Sequence, residues 1–299
     1  MTAKKLKDLI LAGYGQGHEQ HYKSWLRVTR GDYSPCSRVG HLDYPDMYRL
    51  MHPRSMGERY TFCLARWLGA RDVRDAYPVW LLPHRHPGHG LPGFGFDHEV
   101  PGMLDISAEC GIKVGRYPGT NLPYVSTLDS LTTWNDGEGR LLVALENKPE
   151  SLTYEPNPLL RRKEKLELTR RYCNAAGIRR LIIHAELFPL ELLVNIDSLR
   201  PTKPAPVVAA DLNSAMYRWL TDTGSSPRAS STPLAVMANQ ASGRYGGTRQ
   251  DAERLLHLAL WRQDIDHDLR LPLRLWEPPQ PGGQALQRAL RRAITGVNQ

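Results

Sequence analysis

Asp129 and Lys148 stand nineteen residues apart, on two β-rich runs, Leu122 to Leu131 and Arg140 to Lys148. Between the runs lies Trp134-Asn135-Asp136-Gly137, and Asp-Gly is a strong hairpin-turn signal. In such a hairpin, period-two alternation puts Glu146 and Lys148 on one face of their strand, beside Asp129 on its neighbour. Two carboxylates and an ammonium at one sheet edge suit chemistry on phosphate esters. Carboxylates select Mg²⁺, which bridges to phosphate oxygens, and the lysine offsets charge that builds on the phosphate. An exposed hairpin salt bridge would gather the same side chains, so the pattern depends on its context.

A third carboxylate supplies some of that context. Ser55-Met56-Gly57-Glu58 has the spacing of a capping box, and Tyr60, Cys63, Leu64, Trp67 and Leu68 follow at helical intervals. The pattern predicts a helix from about Met56 to Leu68 with Glu58 in its first turn. Capping and metal ligation compete for that one side chain.

A basic run, Arg161, Arg162, Lys163 and Lys165, continued by Arg170 and Arg171, sits on a helix read from Leu159 to Ala176. Leu160, Leu166, Leu168 and Tyr172 mark its apolar side, and Gly177 its stop. Cations are unfavourable at a helix N-terminus, whereas phosphate is attracted both to such side chains and to the terminal amides. The run reads as a DNA-binding surface that tracks phosphates, or else as a solvated basic face. Two other motifs point less clearly. Gly13-Tyr14-Gly15-Gln16-Gly17-His18 is glycine-rich but lacks the strand and Lys-Ser/Thr of a phosphate loop. His84, His86, His89 and His98 could bind metal, although without fixed spacing the 84–102 stretch reads as a flexible surface insertion.

The elements that must position these residues alternate. A short basic amphipathic segment, Lys4 to Ala12, precedes the Glu58 helix. A strand follows at Tyr77 to Leu82, then the hairpin, the basic helix and a strand at Leu181-Ile182-Ile183. This order predicts an α/β layout with a mixed sheet. The proline-rich segment Pro201 to Pro206 suggests a boundary near residue 200, giving domains 1–200 and 201–299. Beyond it the pattern predicts helices at Asp211–Asp222, Pro233–Ser242 and Arg249–Asp264, the last opening on Thr248-x-x-Asp251, and a β segment at Arg270–Trp276. That sequence of elements reads as a winged helix-turn-helix or a plain helical domain, closed by a basic helix or tail from Gln284 to Thr295.

Composition sets the outer limits. The 299 residues are 41% hydrophobic and 23% charged, which excludes wholesale disorder. No apolar run is long enough to cross a membrane, and no secretory signal is expected at the N-terminus. Cys36, Cys63, Cys110 and Cys173 are scattered singly and read as reduced thiols, without zinc or disulfide spacing. A net charge of +8 favours a polyanionic partner, nucleic acid first, against an ordinary basic enzyme surface.

Asp129 with Glu146-Asn147-Lys148 resembles the D…ExK signature of the restriction-endonuclease-like, PD-(D/E)xK, nuclease fold. Four stretches in order also make the chain similar to the TnsA family, the endonuclease subunit of heteromeric target-selecting transposases. They are Gly13 to His18 with Tyr22 and Trp25-Leu26; Glu58 with Asp75-Ala76-Tyr77-Pro78; Ser126-Thr127-Leu128-Asp129 with Glu146 to Pro149; and Lys165-Leu-Glu-Leu-Thr-Arg-Arg-Tyr172. They span roughly residues 8 to 185, and the C-terminal third matches in layout only. Three positions depart from the family's pattern. Glu146 stands where glutamine also occurs, Ser24 replaces the proline before Trp25, and Leu128 separates Asp129 from the Ser-Thr pair.

The resemblance implies Glu58, Asp129 and Lys148 as the catalytic set. It implies Mg²⁺, with Mn²⁺ as a substitute, held by Glu58, Asp129, Glu146 and the Asn147 carbonyl. It further implies cleavage of the 5′, non-transferred strand at transposon ends, leaving 5′-phosphate and 3′-hydroxyl. A DDE-type transposase subunit (TnsB-like) and an AAA+ ATPase regulator (TnsC-like) would be partners, in the bacterial cytoplasm on DNA with no membrane association. The alternatives are a catalytically silent DNA-binding adaptor and an autonomous restriction or repair nuclease of the same fold.

Overall fold

The computed structural model describes residues 1–29, 40–95, 97–135, 139–153 and 160–296. Cys36, the Asp136-Gly137 turn and Leu159 therefore lie outside the described residues. Helix α1 spans Ala3–Leu11, and a small ribbon, β1 (Leu42–Tyr44) with β2 (Arg49–Met51), precedes α2 (Met56–Trp67). Then come β3 (Asp72–Val79), the short pair β4 (His84–Arg85) and β5 (Glu99–Val100), and α3 (Met103–Cys110). The hairpin strands β6 (Ser126–Asn135) and β7 (Arg140–Asn147) follow, then α4 (Glu150–Thr153), α5 (Leu160–Ala175) and β8 (Arg179–Ile183). The remaining helices are α6 (Leu190–Leu199), α7 (Ala205–Leu212), α8 (Ala215–Gly224), α9 (Leu234–Tyr245), α10 (Arg249–Arg262) and α11 (Gly283–Thr295).

The main sheet runs β3-β6-β7-β8, antiparallel except for the parallel β7–β8 pair, so the expected mixed α/β class holds. Alternation along β7 sorts its side chains between two cores. Val143 and Leu145 join the apolar cluster containing α2 and α6, while Leu142 and Ala144 join the one containing α3 and α5. Helix α2 starts where the sequence predicts, with Ser55 Oγ accepting the Glu58 N–H at 3.0 Å. Edge strand β3 is buried along its length because the N-terminal segment covers it. Tyr22 donates to the Asp75 carbonyl at 2.9 Å, and Ser24 donates to the Asp75 carboxylate at 2.8 Å. The serine that replaces the expected proline therefore carries a buried contact.

Several expectations need correction. The strand expected at 77–82 begins at Asp72 and ends at Val79, and the first hairpin strand begins at Ser126, not Leu122. Leu160, expected on the apolar side of α5, is 73% exposed. The 84–102 stretch is pinned to the core, with Leu91 and Val100 buried and His86 Nε2 donating to the Ala176 carbonyl at 2.7 Å. The helix expected at 211–222 is two helices, because Ser214 caps α8 by accepting the Tyr217 N–H at 3.1 Å. No strand forms at 270–276. The Leu275 carbonyl instead accepts the Ala235 N–H at 2.7 Å, and the C-terminal part, helical among its described residues, lacks the β wing.

One apolar cluster joins both halves of the chain. It runs from Leu42 through Trp134 and Leu145 to Leu220, Leu256 and Ile294. Helix α11 folds back onto the sheet, with Gln287 donating to the Trp67 carbonyl and Arg291 to the Leu68 and Asn135 carbonyls. No helix among the described residues is long and apolar enough to cross a membrane.

Candidate active site

The end of the β6–β7 hairpin gathers the predicted charges. Lys148 Nζ lies 2.5 Å from Asp129 Oδ2 and 3.8 Å from Glu146 Oε2. The Asn147 N–H also donates to Asp129 Oδ2, at 2.9 Å. Strand register explains the meeting, because Ser130 pairs with Leu145, which sets Asp129 across from Glu146. On the other side of Asp129 the β3–β6 pairing skips one step, where Ala76 adopts a left-handed φ of 47°.

Glu58 approaches from the first turn of α2. Its Oε2 accepts the Arg54 N–H at 2.8 Å, so it caps one residue further out than the capping box predicts. Burial first, and the charge of Asp129 second, push its carboxyl up to about 7. The charge of Asp129 thus acts on Glu58. Burial also raises Asp129, with Lys148 opposing and Glu146 adding to the rise. Burial works against the Lys148 ammonium, but Asp129 and Glu146 outweigh it and hold the group above the ordinary lysine value.

Sequence reasoning missed two residues that build this geometry. Gly57 is one: a Cβ there would fall 2.1 Å from Asn147 Oδ1, so only glycine lets α2 come this close to the end of β7. Only a structure could show that approach. Arg180 is the other, with its Nε 2.5 Å from Glu146 Oε1. Its position on β8, beside β7, becomes legible only once the parallel pairing is known.

Asp129, Glu146 and Lys148 open into a cleft of about 640 Å³, whose far wall carries Arg161, Arg162 and Lys165 of α5. The predicted basic residues thus divide. Arg161 Nη1 is bound to the Lys113 carbonyl at 2.6 Å and to Glu164 at 2.9 Å. Arg170 and Arg171 both pair with Glu167, each at 2.7 Å, and like Lys163 they do not line this cleft.

The donor set suits the implied cation only in part. Among the described residues no three His, Cys, Asp or Glu side chains stand close enough to hold a metal by themselves. Mg²⁺ needs fewer, since it keeps several waters and takes one or two carboxylates plus substrate oxygens. Glu58 and Asp129, two carboxylates whose charges act on one another, suit such a hard cation. Glu146 is already engaged by Arg180. Burial pushes the Cys63 and Cys173 thiols up to about 12, which keeps both protonated near neutrality.

No protein-family model matches the chain, and no curated protein aligns with it significantly.

Proposed function

We propose that this chain is a Mg²⁺-dependent DNA endonuclease of the restriction-endonuclease-like kind, acting as the TnsA-type subunit of a transposase complex. The observation that carries the reading is the contact of Lys148 with Asp129 at the mouth of a cationic cleft, with the charge of Asp129 also acting on Glu58. Glu58, Asp129 and the Asn147 carbonyl would hold Mg²⁺ or Mn²⁺, which when bound stabilises charge developing on the scissile phosphate. Lys148, fixed by Asp129 and kept charged, offers the phosphate a second positive group. Arg162 and Lys165 take flanking phosphates, and Arg180 holds Glu146 and with it the floor of the cleft. The TnsA resemblance adds the substrate and partners: the 5′ strands at transposon ends, a TnsB-like DDE transposase and a TnsC-like AAA+ ATPase, assembled on DNA in a bacterial cytoplasm.

The test is strand-specific cleavage of end-bearing DNA in Mg²⁺, with and without the co-encoded transposase. Nicking of the 5′ strand only when the transposase is present supports the reading. Cutting by the chain alone would replace it with an autonomous restriction or repair nuclease, and binding without any cutting would replace it with an adaptor.

A further inference from the structure

The cleft beside Asp129 carries more than charge. Its walls are α5 and the segment 112–125, which joins α3 to β6. That segment folds as a narrow ribbon. The Tyr124 N–H donates to the Gly115 carbonyl at 2.7 Å, and the Tyr117 N–H to the Leu122 carbonyl at 3.0 Å. Arg161 ties the two walls together through the Lys113 carbonyl.

Apolar and aromatic groups lie among the cations: Val114, Pro118 and Tyr124 on the ribbon, and Leu166 on α5. Tyr124 is half-buried, its ring set edge-on against the buried Tyr117 ring at 4.9 Å. Its hydroxyl takes no hydrogen-bond partner among the described residues and is not sealed from solvent. Arg116, on the same ribbon, is exposed. Its Nη1 donates to Asn121 Oδ1 at 3.0 Å, and it pairs with no carboxylate among the described residues.

Phosphates account for the cations and leave the apolar groups unexplained. A DNA duplex offers phosphates outside and base edges in its grooves, while the base faces stay stacked inside. Those faces meet a protein when a nucleotide leaves the stack, and they then lie on aromatic and apolar side chains. The size agrees. About 640 Å³ falls within the roughly 300–1,000 Å³ of clefts that enclose one drug-sized molecule, the scale of a nucleotide and not of a duplex. Arg116 on one wall, with Arg162 and Lys165 on the other, provides for phosphates on either side of that nucleotide. A strand has those flanking phosphates, and a free mononucleotide lacks them.

We propose that this cleft holds one unstacked nucleotide of a DNA strand, its base on Tyr124 and its neighbouring phosphates on Arg116, Arg162 and Lys165. The inference rests on the nuclease reading and narrows its substrate to DNA that is unpaired, or readily unpaired, beside the cut bond.

Fluorescence anisotropy on the full chain tests this in EDTA, where no metal-dependent cutting occurs. It compares two duplexes of equal length, one fully paired and one with a central mismatch bubble. Equal phosphate numbers largely cancel the electrostatic contribution. The bubble should bind at least about tenfold more tightly, because unstacking a paired base costs free energy. Tyr124→Ala should weaken the bubble by about fivefold or more and the paired duplex little, and Tyr124→Phe, which keeps the ring, should retain the preference. Arg116→Gln should flatten the salt dependence of bubble binding by about 0.7–0.9 in slope. Equal or weaker binding of the bubble, full preference in folded Tyr124→Ala, or an unchanged slope in Arg116→Gln would overturn the proposal. The comparison of the two duplexes uses the unaltered protein, and Tyr124→Leu, apolar without the flat ring, replaces Tyr124→Ala if that variant does not fold. Cleavage in Mg²⁺ separates the two readings. Asp129-dependent cutting without bubble preference overturns this site and leaves the nuclease, whereas bubble preference without cutting leaves the nucleotide site and removes the nuclease.

Discussion

Lys148 Nζ and the Asn147 N–H converge on one oxygen, Asp129 Oδ2, at 2.5 and 2.9 Å. Asp129 is thus oriented by its neighbouring strand and held at the cleft mouth. Asp129→Ala should abolish strand cleavage while leaving DNA affinity nearly unchanged, because the cationic side chains along the cleft remain. Gel-based cleavage beside equilibrium binding would check this. Undiminished cutting by a folded Asp129→Ala protein would remove the nuclease proposal.

Glu58→Gln separates ligand from cap through pH. A carboxyl whose folded pKa lies above its unfolded value keeps its proton better when folded, so ionising it costs stability. For Glu58 that cost grows as pH rises from 4.5 to about 7 and is complete above. The shift corresponds to an upper limit on the order of 3 kcal/mol. Glu58→Gln should therefore match the unaltered protein in thermal midpoint at pH 4 and exceed it at pH 8. Mg²⁺ should raise the midpoint of the unaltered protein at pH 8 and not that of the variant. Cleavage by the variant should fall by orders of magnitude. Normal cleavage would leave Glu58 as a cap for the Arg54 N–H alone.

Gly57→Ala would improve intrinsic helix propensity by roughly 1 kcal/mol. Its Cβ would meet Asn147 Oδ1 at 2.1 Å, and relieving that clash costs about 1–3 kcal/mol. Denaturant titration should show a net loss of stability. Cleavage should fall further than stability explains, because α2 and the end of β7 separate and carry Glu58 away from Asp129. A more stable Gly57→Ala protein with full activity would refute the tight approach.

The basic residues of α5 should behave as two groups. Arg162→Gln with Lys165→Gln should weaken binding to any DNA sequence and flatten the salt dependence, by about 0.9 in slope for each phosphate that is no longer neutralised. Arg170→Gln with Arg171→Gln should change little, since both arginines already pair with Glu167. Equal effects from the two pairs would move the DNA path onto the outer face of α5.

The sequence made the Asp129–Lys148 meeting legible because a hairpin with period-two strands leaves few registers. The starts of α2 and α10 were legible for a similar reason, since Ser55 and Thr248 cap locally. What failed was non-local. Leu271, Leu273 and Leu275 alternate like a strand, but alternation names no ladder partner, and Leu271 is in fact exposed. There the Leu269 and Leu271 carbonyls take the Asn195 amide. The break between α7 and α8 was signalled by Asn213-Ser214 and hidden by the apolar period on either side. The approach of Gly57 to Asn147 leaves no trace in a one-dimensional pattern.

The shared core also has a consequence in time. A ribosome releases Trp134, Val143 and Leu145 well before Leu220, Leu256 and Ile294, which complete the same apolar cluster. Until α11 emerges and lays Arg291 on the Leu68 and Asn135 carbonyls, that face of the sheet lacks part of its cover. The hairpin bearing Asp129 and Lys148 is thus made early and braced late, so a chain that stops short of α11 would expose its sheet to aggregation.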